Sequence, residues 1–142
     1  MTFLLDTNIV SELRKNRAHG SVVAWRKSVP VHELAIPAVV IGEIQTGIEL
    51  TRKQDPDKAT ELEGWLDRVM SYYTILSMDG LTYREWARLI AGKSDDLSGD
   101  AMIAATARIH HLTVVTRNVK DFAPFNVQVF DPFSGKSTAP PA

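Results

Sequence analysis

Asp6, Glu43, Asp100 and Asp121 have the types and settings that could do chemistry together. Asp6 closes the apolar run Thr2 to Leu5, and ligands of open α/β sheets bind outside the carboxyl ends of strands; the same residue could equally cap the helix that begins after it. Glu43 lies in a helical pattern with Val39, Val40 and Gly47 one turn away, so it is expected to face inward, where a glutamate needs a basic partner or a cation. Asp100 opens the helix containing Ile103 and Ala104-Ala105-Thr106-Ala107, where alone it would complement the helix dipole. Asp121 follows the apolar Thr113-Val114-Val115 within Thr116-Arg117-Asn118-Val119-Lys120-Asp121-Phe122, and alone it reads as a loop or cap residue. Such positions can converge on one sheet edge, and clustered carboxylates repel one another unless protonated or bound to a hard cation. An oxygen-only set suits Mg²⁺ or Mn²⁺. These ions lower the pKa of a bound water and neutralise phosphate oxygens, as phosphodiester hydrolysis requires.

The elements that must position the acids follow from periodicity and punctuation. Strands are expected at Thr2 to Leu5, Leu34 to Ile36, Tyr73 to Met78, Leu112 to Thr116 and Val127 to Phe130. Helices are expected around Ile9 to Leu13, over Ser21 to Lys27, from Pro37 to about Arg52, over Pro56 to Tyr73, Gly80 to Gly92 and Ser98 to His111, with a turn or short helix over Asn118 to Phe122. This alternation argues for an α/β three-layer sandwich around a mainly parallel sheet of four to five strands. Residues 1–133 form one domain in this reading. Ser134 to Ala142, rich in Ser, Pro, Ala and Lys with no apolar anchor, is expected to be a disordered tail.

Composition narrows the chemistry. A chain of 142 residues has the length of one domain and can bury an ordinary core without staples. It has no cysteine, which removes disulfides, thiolate nucleophiles and cysteine zinc sites. Sixteen Lys and Arg against 17 Asp and Glu leave a net charge of -1, so any nucleic-acid contact must be a local patch. The N-terminus lacks a secretory pattern and no run is long enough to span a membrane, so a cytoplasmic compartment is expected.

The run Leu4-Leu5-Asp6-Thr7-Asn8 with Ser11-Glu12-Leu13, Glu43 in a helix, Asp100 before Ile103-Ala104-Ala105-Thr106-Ala107, and Thr116-Arg117-Asn118 with Asp121-Phe122 together resemble the PIN-domain nucleases, specifically VapC-type toxins of the FitB-like branch. The likeness runs from Thr2 to about Pro132. It implies a Mg²⁺- or Mn²⁺-dependent endoribonuclease, the toxin of a type II toxin–antitoxin pair, cutting structured RNA of the tRNA or rRNA class. Asp6, Glu43, Asp100 and Asp121 match the family's acidic quartet, which implies metal ligation. Thr7 and Asn8 match positions that help order the site. Thr116 and Asn118 match polar positions that would hold a water or the fourth carboxylate. A cognate antitoxin and a homodimer are implied as partners.

Other residues carry weaker signals. His19, His32, His110 and His111 are read as structural, and Asp95-Asp96 as a solvated loop. Arg117 and Lys120 flank the acids and are the best candidates to touch phosphate. Ile9, Val10, Leu13, Val22, Val23 and Trp25 could form one wall of an antitoxin groove, with Leu62, Leu66 and Val69 as the other. Two other functions compete. In a haloacid-dehalogenase-like phosphatase Asn8 would replace the second acid and Glu43 would be unexplained; a catalytically silent PIN-like binding module would have no use for an intact quartet.

Overall fold

Phe3–Leu5 (β1) has no polar side chain, and such a strand is stable only when both of its faces are covered. In the computed structural model, which describes residues 1–139, β1 is therefore internal. It lies between Leu34–Pro37 (β2) and Thr113–Val115 (β4); Thr74–Leu76 (β3) lies beyond β2, and Val129–Asp131 (β5) and Lys136–Thr138 (β6) lie beyond β4. The order is β3-β2-β1-β4-β5-β6, with every neighbouring pair parallel except β5 and β6. Parallel neighbours need crossovers, and helices supply them. Thr7–Arg14 (α1) and Gly20–Ser28 (α2) lead to β2; Ala38–Arg52 (α3) and Pro56–Tyr72 (α4) lead to β3. Gly80–Ile90 (α5) and Ser98–His110 (α6) lead to β4, and Val119–Phe122 (α7) leads to β5. The result is the expected α/β architecture, a sheet flanked by helices.

Local signals set the helix starts. Asp55 accepts from Lys58 N at 3.1 Å, and Pro56 occupies the first turn of α4, where a missing N–H costs nothing. Asp79 accepts from Thr82 N at 2.9 Å and from its hydroxyl at 2.8 Å to open α5. The alanines of α6 let it pack closely: Ala101, Ile103, Ala104, Ala105 and Ala107 are all buried. Trp86 on α5 donates to Ser98 O at 3.1 Å and so fixes the turn that carries Asp100.

Three expectations change. Ser134 to Thr138 is not a disordered tail: Lys136–Thr138 pairs with β5 through Val129↔Thr138, Phe130↔Ser137 and Asp131↔Lys136, making six strands rather than four to five. The Asp131 carboxylate shapes the intervening turn by accepting from Phe133 N at 2.8 Å and Ser134 Oγ at 3.1 Å, and Gly135 takes a φ of +77° that a side chain would resist. Residues 140–142 of the expected tail lie outside the described residues. Pro37 ends β2, and the helix opens one residue later. The groove also differs. Ile9, Val22 and Leu66 are core residues, and Trp25 packs on Phe3 at 5.3 Å and Phe130 at 5.6 Å instead. An apolar cavity of about 230 Å³ does exist, lined by Val10, Leu13 and Val69 as expected, with Leu5, Trp65, Arg68, Tyr72 and Tyr73. Among the described residues, no helix is long and apolar enough to cross a membrane.

Candidate active site

The register of the two central strands builds the site. Leu5 pairs with Val115, so the next residues, Asp6 and Thr116, emerge side by side at the carboxyl end of the sheet. Asp6 N donates to Val115 O at 3.0 Å, and the Thr116 hydroxyl donates to Asp6 Oδ2 at 2.8 Å. Asn8 Nδ2 donates to the same carboxylate oxygen at 3.1 Å, while Asp6 Oδ1 accepts from Thr7 N at 2.7 Å. Asp6 thus both caps α1 and faces the site, so its two sequence readings are compatible. It is 5% exposed. Burial, and then the charge of Glu43, raise its pKa against the pull of the three hydrogen bonds.

Asp100 in the first turn of α6 is half-buried, and its carboxyl is pushed up to about 6. Burial contributes most, followed by the charges of Asp6, Asp121 and Glu43. The charges of the other three acids therefore reach Asp100, although the four come from separate elements. Asp121 is exposed on α7, in a turn closed by its N–H on Asn118 O at 3.1 Å.

Glu43 departs from expectation, because it is exposed and does not face the core. Val40, Ile44 and Ile48 form the buried stripe of α3, and Glu43 stands at its margin. Its carboxylate accepts a hydrogen bond from the Thr7 hydroxyl. Gly99 clears its path, since a Cβ there would come within 2.9 Å of Glu43 Oε1. The sequence reading did not single out Gly99; its only signal is a glycine directly before Asp100. Gly99→Ala is expected to move the Glu43 carboxylate while leaving stability unchanged or raised by up to about 1 kcal/mol, because alanine suits a helix better. Thermal melts beside activity assays check this, and a variant with both properties of the wild type would dismiss the contact.

Thr116 and Asn118 also act differently from expectation. Thr116 is buried and serves the first acid, Asp6; its oxygen also accepts from Asn8 Nδ2 at 3.1 Å and from Asn118 N at 3.0 Å. Asn118 thus contributes its backbone here. Asn8 Oδ1 accepts from Arg117 N at 3.0 Å, tying the two strand ends together. The histidines lie elsewhere: His19 caps α2, His32 is 3.5 Å from Glu33, His110 lies in the last turn of α6, and His111 takes the left-handed conformation that ends that helix. Asp95 and Asp96 are exposed in a short 3-10 turn.

The chemistry of this donor set fits a hard divalent cation. It is all oxygen, and no described Lys, Arg or His forms an ion pair with any of the four acids. Among the described residues, no three acidic or histidine side chains already stand as a ready-made cation cage. Asp6 is engaged by three donors and Glu43 by Thr7, so side-chain adjustment on the exposed rim would have to complete a cage.

An acid-lined strand end on a mainly parallel sheet of this order defines the class, and this chain belongs to the PIN-domain family, whose model matches residues 3–124. Within the family it is closely related to the FitB and VapC toxins. It is 30% identical over 137 residues to toxin FitB of Neisseria gonorrhoeae, covering 92% of this chain and 97% of that protein. It is 40% identical over 67 residues to ribonuclease VapC14 of Mycobacterium tuberculosis, a match that covers 47% of this chain and 65% of that protein. The crystal structure of FitAcB from Neisseria gonorrhoeae superposes with a TM-score of 0.82 at 30% identity, covering 93% of this chain and 99% of that one.

Proposed function

We propose that this protein is a divalent-metal-dependent endoribonuclease and the toxin of a type II toxin–antitoxin pair. The observation that carries the reading is the register that sets Asp6 beside Thr116 at the carboxyl end of the central strands, near enough to Asp100 to act on it. Burial and then the charges of Asp6, Asp121 and Glu43 raise the Asp100 carboxyl to about 6, with no ion pair from a described Lys, Arg or His to any of the four acids. Asp6, Glu43, Asp100 and Asp121 would hold Mg²⁺ or Mn²⁺, which when bound supplies an acidic water and charge neutralisation at phosphate. Asp6 gives the site a fixed, buried carboxylate, and Thr116 and Asn8 orient it. Thr7 steers Glu43 toward the same point. The relatives' names, toxin and ribonuclease, support RNA as the substrate, with structured RNA of the tRNA or rRNA class as the family expectation. Purified protein is expected to cut RNA in Mg²⁺ or Mn²⁺ and to stop in EDTA, and cleavage indifferent to chelation would exclude this chemistry.

A toxin of this kind has to be held inactive in its own cell, so an antitoxin is the second partner. The cavity between α1 and α4 suits an amphipathic helix with spaced apolar anchors. Leu13→Asp with Tyr72→Asp is expected to weaken antitoxin binding at least tenfold with RNA cleavage preserved; undiminished binding in titration calorimetry would move the partner elsewhere. A homodimer is the third element. Leu50 on α3 (60% exposed), with Leu81 (61%) and Tyr83 (48%) on α5, offers apolar surface for it.

A further inference from the structure

We propose that Arg117, stacked on Phe133 of the β5–β6 turn, binds an RNA phosphate and holds the substrate backbone against the acidic site. The inference rests on the nuclease reading above and adds a substrate-binding role for the C-terminal hairpin. A single divalent ion would offset only half the charge of four carboxylates facing a polyanionic substrate, and the chain's net charge of -1 offers no general attraction. Binding therefore needs a cation at the rim.

Arg117 meets the requirement in three respects. Its place is fixed: it directly follows Thr116, whose hydroxyl bonds Asp6, and its own N–H donates to Asn8 Oδ1 at 3.0 Å. Its guanidinium lies 4.5 Å from the centroid of the Phe133 ring, close enough for a cation–π contact that orients the planar fork. Among the described residues it pairs with no carboxylate and donates no side-chain hydrogen bond to protein, so its fork is free for two phosphate oxygens. Phe133 is itself held in place. Its N–H bonds the Asp131 carboxylate at 2.8 Å, and the His19 ring lies 5.1 Å from it at a 59° tilt. The hairpin thus braces a cation that starts at the end of β4.

The test is steady-state cleavage of a mixed-sequence RNA by the full chain in Mg²⁺, read as KM and kcat over a range of salt. Arg117→Gln is expected to raise KM about tenfold with kcat within about twofold, and to reduce the slope of log(kcat/KM) against log[salt] by about 0.7, one phosphate on a single strand. Arg117→Lys keeps the charge and should retain the slope. Phe133→Leu should raise KM, whereas Phe133→Tyr, which keeps the ring, should restore it. An Arg117→Gln protein with wild-type KM and salt slope overturns the proposal alone. Loss of kcat at unchanged KM in Arg117→Gln also overturns it, by assigning Arg117 to the architecture of the site. Wild-type protein that cuts no RNA under any divalent ion overturns the nuclease reading beneath it.

Discussion

Asp6→Asn is expected to lower RNA cleavage by roughly three orders of magnitude, equivalent to about 4 kcal/mol of transition-state stabilisation, while the protein stays folded. The substitution is nearly isosteric, so the acceptor for Thr7 N, now at 2.7 Å, is retained. The amide would turn donor protons toward Asn8 Nδ2 and the Thr116 hydroxyl, a conflict costing about 1–2 kcal/mol. Removing a buried negative charge whose pKa is already raised offsets part of that cost. The melting temperature should therefore stay within a few degrees of wild type, while the negative charge at the sheet edge is lost. Cleavage at the wild-type rate by a folded Asp6→Asn protein would falsify the assignment of Asp6 to the chemistry.

Asp100→Asn should melt higher than wild type in EDTA at neutral pH and lose most of the gain that Mg²⁺ gives. The sign follows from linkage. The Asp100 carboxyl rises from 3.8 to about 6 on folding, so the folded state binds the proton more tightly. Its stabilising contribution is whole below pH 3.8 and is lost as pH climbs through about 6. Asp6, also raised, acts in the same direction. A shift of this size corresponds to at most about 3 kcal/mol, and solvent screening of the half-buried Asp100 reduces it to about 1 kcal/mol. For a chain of this length that is about 3–4 °C. The advantage of the variant over apo wild type should thus widen as pH rises from 4 to 7, whereas Glu12, Glu33, Glu49 and Asp79, held below their ordinary values, act alike in both proteins. Mg²⁺ at ~100 times its dissociation constant adds about 2.7 kcal/mol to wild type. Melts of both proteins across pH, with EDTA and with Mg²⁺, check the prediction; an undiminished Mg²⁺ gain in Asp100→Asn would remove that residue from the site.

The parts of the fold legible in the sequence are those written in side chains. An apolar run ending at Asp6, another ending at Thr116, and the alanines after Asp100 each announce an element and its end. The Asp6–Thr116 hydrogen bond is different, because it joins residues 110 positions apart and depends on which strands are neighbours. No local pattern encodes strand order. Helical periodicity identified the buried side of α3 but not which way a residue at its margin points, so Glu43 was expected inside and lies outside. β6 escaped because an edge strand is held by backbone bonds, which leave no hydrophobic signature in Lys136, Ser137 and Thr138. The groove is only partly legible because core and groove residues share one alphabet: Ile9 and Val10 are adjacent, yet Val10 lines the cavity and Ile9 does not.

The pairing of Leu5 with Val115 at the middle of the sheet also divides the site by cooperativity. Asp6 and Thr116 hang from the strands with the most neighbours on either side, so their backbone amides can exchange with solvent only through openings that approach global unfolding. Asp121, exposed on the four-residue α7, belongs to a segment that opens at far lower free energy, whereas Glu43 is carried by a helix anchored through Val40, Ile44 and Ile48 and only its side chain is exposed. The first acid is thus as durable as the protein itself, and the fourth is free to rearrange around whatever arrives.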